Sequence, residues 1–94
     1  MLTIYSKTQC PNCVHAKNFL KAKNIDFEEK NIETDYEARE FILEQGHRSV
    51  PQIYLGNRLF VEGGWTGLST MTLEEIEESM AFGESLNPIN LGTL

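Results

Sequence analysis

Apolar and polar positions alternate with two different periods along residues 1–83, and the changes of period mark seven elements. Leu2-Thr3-Ile4-Tyr5 is short, β-branched and aromatic, which predicts a strand. From Pro11 to about Asn24 the period becomes helical. Cys13, Ala16 and Leu20 recur at i, i+3 and i+7, Val14 and Phe19 widen the apolar stripe, and Asn24 is placed to stop the helix. Ile25 to Ile32 alternates again, with Ile25, Phe27 and Ile32 apolar among charges, and predicts a second strand. Thr34-Asp35-Tyr36-Glu37 has the form of a capping box, opening a helix from Asp35 to Gln45 with Phe41 and Ile42 inward. Gly46 follows as its left-handed closing residue.

Gln52–Leu55 and Arg58–Val61 flank Gly56-Asn57, a two-residue hairpin turn, and Gly63-Gly64 ends the hairpin. Thr72-Leu73-Glu74-Glu75 is a second capping box, starting a helix on Leu73, Ile76 and Met80 that runs to about Phe82 and closes at Gly83. The order is β-α-β-α-β-β-α. One right-handed βαβ unit plus an antiparallel hairpin makes an α/β fold, a four-stranded mixed sheet flanked by three helices. Residues 84–94 hold Asn87-Pro88 and Gly92 without a period, and are expected to form a mobile or loosely held tail beyond a domain spanning 1–83.

Composition narrows the function classes. A chain of 94 residues holds one domain with a modest core, and its 40% hydrophobic and 23% charged content is that of a globular protein. No apolar run reaches membrane-spanning length and no basic-then-apolar leader opens the chain, so a cytoplasmic location without membrane contact is expected; a monomer is the expected state. A net charge of −6 argues against nucleic acid as a partner. Solubility is the simplest use of that charge, and Glu74, Glu75, Glu77 and Glu78 read as the solvated face of the last helix.

Both cysteines lie in Cys10-Pro11-Asn12-Cys13, where the first strand gives way to the first helix. A helix N-terminus offers unpaired N–H groups and a partial positive charge to an anion. Cys10 falls at the N-cap with its sulfur facing the N–H of residue 13, and Pro11 suits the first helical position. A thiolate is therefore favoured at Cys10, and Lys7 adds a positive field. Cys13, inside the first turn, is further from solvent and placed to resolve a mixed disulfide. The loop between the cysteines is too short to staple a fold, so the bland alternative is two inert thiols; spacing and helix-start context favour redox chemistry.

Metal binding is the chemical rival. A closed zinc site wants four ligands, and only His15 and His47 remain, with His15 on another face of the helix from Cys13. An iron–sulfur cluster carried by a dimer and completed by outside thiols stays open as a function of another class. Val50-Pro51 opens the third strand. A trans bond is the default there, whereas a cis bond would turn the backbone of Val50 outward to pair with an extended thiol peptide. Trp65 either lines a groove or fills a gap, with the core position favoured, and Tyr5, Phe27 and Phe41 are assigned to the core.

Tyr5-Ser6-Lys7 before the cysteine motif, then Ser49-Val50-Pro51-Gln52-Ile53, then Gly63-Gly64 ahead of a helix, resemble the glutaredoxin family over roughly residues 1 to 82. The resemblance implies a thioredoxin-like fold with sheet order 2-1-3-4, a cis proline at Pro51 and thiol–disulfide oxidoreductase activity with Cys10 and Cys13 catalytic. It implies glutathione as co-substrate, held by Lys7, Pro11, Asn12, Arg48, Val50, Pro51, Gly63, Gly64 and Thr66. Lys7 would lie near the glycine carboxylate, Val50 would bond the cysteinyl part, and Gly63-Gly64 would approach the γ-glutamyl end. Arg48 could reach a carboxylate or remain a solvated loop residue. Clients would be disulfide-containing proteins, and no metal is expected. Two departures stand out: Asn12 where many members have an aromatic residue, and Trp65-Thr66-Gly67-Leu68 without the acidic residue that often follows the double glycine. The loop from Gln45 to Pro51 also resembles the glutaredoxin-like electron donors of ribonucleotide reductase, which draw electrons from thioredoxin reductase.

Overall fold

The computed structural model describes residues 1–85, so most of the expected tail lies outside the described residues. Strand β1 (Leu2–Ser6) is central and buried along its whole length. It pairs in parallel with β2 (Phe27–Asn31) and antiparallel with β3 (Gln52–Leu55), which carries β4 (Arg58–Val61) at the other edge. The sheet order is β2-β1-β3-β4, the thioredoxin-like arrangement expected. Period-two alternation sends Leu2 and Ile4 to one face and Tyr5 to the other. On the first face they join Ala16, Leu20, Ile53, Leu68 and Ile76; on the second, Tyr5 and Tyr54 pack with Ala38 and Ile42.

Helix α1 (Pro11–Ala22) buries Cys13, Ala16 and Leu20 as their spacing predicts. Val14, one step or about 100° around the helix from Cys13, is 48% exposed, so it does not widen the buried stripe. The helix stops where Asn24 turns left-handed (φ 58°): Ile25 N–H reaches the Leu20 carbonyl at 2.9 Å and Asn24 N–H reaches Lys21 at 3.0 Å. Ile25 thus serves the cap, and β2 begins two residues later. Helix α2 (Tyr36–Glu44) is capped by Asp35, whose carboxylate accepts the Ala38 N–H at 3.0 Å. The cap is one residue later than the capping-box pattern puts it, because the Thr34 hydroxyl donates to the Asn31 carbonyl and closes the preceding turn. Gly46 (φ 85°) ends the helix as expected, with His47 N–H on the Ile42 carbonyl.

The described residues hold four helices, not three. Helix α3 (Gly64–Leu68) occupies the stretch read as plain connection after the hairpin. Five residues with a glycine at each end of Trp65-Thr66 carry no period and little intrinsic helicity, so packing of buried Gly64 and Leu68 creates this turn. Helix α4 (Leu73–Ser85) opens on a reciprocal capping box: Glu75 N–H donates to Thr72 Oγ1 at 3.1 Å, and Thr72 N–H donates to Glu75 Oε1 at 2.8 Å. Ile76 is fully buried, while Leu73, in the first turn, is 39% exposed and not inward. The helix continues through Gly83 to Ser85; glycine inside a helix costs only about 1 kcal/mol and does not force a stop.

Candidate active site

The site begins with a change of backbone direction after β1. Gln9 takes a left-handed conformation (φ 57°), uncommon outside glycine, and turns the chain so that Cys10 arrives extended at the N-cap of α1. The loop is tied to the end of β2. Thr8 N–H donates to Glu33 at 3.0 Å, Asn31 Nδ2 donates to the Thr8 hydroxyl at 3.3 Å, and Glu33 N–H donates to Asn31 at 2.8 Å. Hydrogen bonds from the Thr8 side chain and backbone, with Lys7 nearby, hold the Glu33 carboxyl below the usual carboxylate range.

Cys10 and Cys13 form a disulfide across a Cα separation of 5.2 Å. The Cys10 sulfur accepts the Cys13 N–H at 3.1 Å, and Pro11 occupies the first helical position. Cys13 is 1% exposed and Cys10 7%, so Cys10 is the slightly more accessible of the pair. The Val50–Pro51 peptide is cis, as the resemblance implied, and the Val50 carbonyl oxygen lies 3.9 Å from the Cys10 sulfur. Gln52 Nε2 donates to the Ser49 carbonyl at 2.9 Å and closes this loop. Gly64 (φ 56°) presses on it from α3: a Cβ there would stand 2.5 Å from the Pro51 carbonyl oxygen. The double glycine therefore lets α3 abut the proline loop.

Three depressions surround this centre. A groove of about 530 Å³ is lined by Asn12, Val50, Pro51, Gly63, Gly64 and Thr66, and also by Glu62, Trp65 and His47. A hollow of about 390 Å³ meets it at His47, Ser49 and Val50, and holds Lys7, Arg39 and Arg48 together with Glu33. A cleft of about 450 Å³ on the α1–β2 side holds Pro11, Cys10, Cys13 and Lys7 with Lys17 and Glu29. The residues expected to hold glutathione are thus gathered in two depressions that share Val50, with Pro11 apart from them in the cleft. Arg39, Glu62 and His47 had not been assigned to this groove. Arg39 had a signal, one cation on an exposed face of a predicted helix, but nothing in its spacing distinguishes it from a solvated residue. His47 Nε2 lies 2.7 Å from the Tyr54 hydroxyl, an acceptable pair only once β3 is folded beside α2. Trp65 stacks on His15 (5.7 Å, 30°), meets Phe19 edge-on, and still lines the groove. Among the described residues no cluster of three or more His, Cys, Asp or Glu could hold a metal ion. No described helix is long and apolar enough to cross a membrane.

A redox-active cysteine pair at a helix N-terminus, facing a cis-proline loop on this sheet, defines a thiol–disulfide redox protein of the thioredoxin-like class. The glutaredoxin family model matches residues 2–60, and the chain belongs to the glutaredoxin family. A probable glutaredoxin of Synechocystis sp. is 39% identical over 59 residues, covering 61% of this chain and 67% of that one. The glutaredoxin-like protein NrdH of Lactococcus lactis is 40% identical over 53 residues, covering 56% of this chain and 74% of that one. Among solved structures, glutaredoxin from Brucella melitensis superposes with a TM-score of 0.64 at 30% identity, over 84% of this chain and 85% of that one. The NrdH-redoxin of Escherichia coli gives 0.59 at 27% identity, over 82% and 91%.

Proposed function

We propose that the protein is a glutathione-linked thiol–disulfide oxidoreductase that reduces protein disulfides and glutathione mixed disulfides, with Cys10 as nucleophile and Cys13 as resolver. The observation that carries this reading is the opposite polarity of the two depressions meeting at Val50. One side offers Lys7, Arg39 and Arg48 against a single carboxylate, Glu33, that is already bonded to Thr8; on the other, Glu62 is the one carboxylate among the groove-lining residues. Glutathione carries a glycine carboxylate at one end and an α-ammonium at the other. Laid along the Val50 backbone with its sulfur at Cys10, it would place the carboxylate among the cations and the ammonium towards Glu62. Glu62 then stands in for the acidic residue that Trp65-Thr66-Gly67-Leu68 lacks.

In the forward direction the Cys10 thiolate attacks a disulfide and forms a mixed disulfide, expelling one thiolate. Cys13 then attacks Cys10, releases the second thiol and closes the Cys10–Cys13 disulfide, or a second glutathione performs that release. Glutathione resets the oxidised protein.

A second reading has its own support. Gly67 cannot carry a side chain, because a Cβ there would collide with the Glu62 carbonyl oxygen, so no acidic residue fits at that point. Two relatives named NrdH, from Lactococcus lactis, are 40% identical over 53 residues. On that reading the protein is a hydrogen donor for ribonucleotide reductase, reset by thioredoxin reductase. Turnover of a mixed disulfide with glutathione and its reductase, run beside turnover with thioredoxin reductase, tests the two. The first reading requires glutathione-driven turnover, and turnover with thioredoxin reductase alone would replace it by the second.

A further inference from the structure

The cleft on the α1–β2 side is lined by both cysteines, and of its lining residues only Lys7 is shared with the cationic hollow. Its charged lining is Lys7, Lys17 and Glu29. Lys17 is four residues after Cys13 on α1, so the two share a helix face. Glu29 is registered beside Ile4 across the parallel ladder and points to the same face of the sheet as Leu2, Ile4 and Ser6. Its Oε2 atom accepts the hydroxyl of fully buried Ser6 at 2.6 Å and meets the Lys17 ammonium at 2.9 Å. The Ser6 bond ties the carboxylate to β1, where an ordinary surface ion pair would roam. Glu29 is accordingly held below the usual carboxylate range, chiefly by Ser6 and then by Lys17. Lys21 adds to its field, and Glu33 sits nearby on Thr8.

Cys13 must change protonation state in each dithiol cycle. To resolve a mixed disulfide it loses its proton, attacks the Cys10 sulfur, forms the Cys10–Cys13 bond and expels the substrate thiolate, which takes a proton from solvent. When a reducing thiolate opens that bond at Cys10, Cys13 leaves as a thiolate and regains a proton. With 1% of its surface exposed, its route to solvent is the cleft.

We propose that Lys17 and Glu29, pinned by Ser6, set how readily Cys13 gives up and recovers this proton. They act as positioning residues through opposed fields that nearly cancel while both are charged. The two charges pull in opposite directions. Lys17 favours the Cys13 thiolate and Glu29 disfavours it, so neutralising either one leaves the other unopposed.

The test is titration of Cys13 in a Cys10→Ser background, read by thiolate absorbance and by alkylation rate against pH. Adding Glu29→Gln should lower the midpoint by about half a pH unit and raise alkylation near neutrality about threefold. Lys17→Met should raise the midpoint by a similar amount, and the double variant should return close to the parent. Lys17→Arg keeps the charge and should hold the midpoint, even if Lys17→Met proves too unstable to titrate. Shifts of the same sign in both neutral variants, or no shift in either, overturn the proposal. The titration involves no glutathione, so it fails or stands independently of the reductant assigned above.

Discussion

The sulfur of Cys10 and the carbonyl oxygen of Val50 lie 3.9 Å apart although forty positions separate them in the chain. On the function proposed above, a peptide thiol joined to Cys10 would lie beside the Val50 backbone. On the same reading, the helix N-terminus activates the sulfur and the proline loop orients what the sulfur captures. Each of these two parts can be tested alone.

Separating the roles of the two cysteines is the first prediction. Cys10→Ser should abolish turnover of every disulfide substrate. Cys13→Ser should keep glutathione mixed-disulfide turnover and lose reduction of protein disulfides, with glutathione trapped on Cys10 and visible as an added mass in intact-protein spectra.

Groove polarity gives the second. Glu62→Gln should raise KM for a glutathione mixed disulfide about fivefold to tenfold with kcat little changed, the signature of lost uniform binding worth about 1 kcal/mol. Turnover with a client lacking a free ammonium should be unaffected.

Gly64→Ala tests the abutment of α3 on the proline loop. The added Cβ meets the Pro51 carbonyl oxygen at a positive φ, so a loss of about 1–3 kcal/mol in urea unfolding is expected, with reduced turnover. Gly46→Ala, with no atom within 4 Å of its Cβ, carries the φ penalty alone and should cost less.

Acid should remove one specific contribution. The folded-state value of Glu29 lies below its unfolded value, so its bonds to Ser6 and Lys17 stabilise the fold above the ordinary carboxylate range, about pH 4.3, and the effect fades as pH falls through the lowered value. Glu29 is 36% exposed, and solvent screening limits the gain to under about 1 kcal/mol at neutral pH. Thermal melts of wild type and Glu29→Gln should differ at pH 7 and draw together as the pH falls below the ordinary carboxylate range.

Much of this architecture is written in local pattern. The pleat alternation of Leu2 to Tyr5, the Cys13, Ala16 and Leu20 stripe, Gly56-Asn57 and the Thr72–Glu75 box each specify their element without help from the rest of the fold. The misses are of another kind. Helix α3 exists because Gly64 and Leu68 are buried by distant residues, and Asp35 took the cap because Thr34 was already engaged with Asn31. The cysteine pair was legible for the same local reason as its helix. Arg39, Glu62 and His47 were not, because a charged residue on an exposed face looks alike whether it borders a groove or open solvent. The partnership of Ser6 with Glu29 needs the β1–β2 register, which no spacing in the chain discloses.

Acidity of the leading thiol is what the whole scheme requires, and a direct titration reads it. In Cys13→Ser, thiolate absorbance at Cys10 followed against pH should give a midpoint at least one unit below the value of about 8.5 for free cysteine. A midpoint at or above that value would contradict activation by the backbone amides of α1.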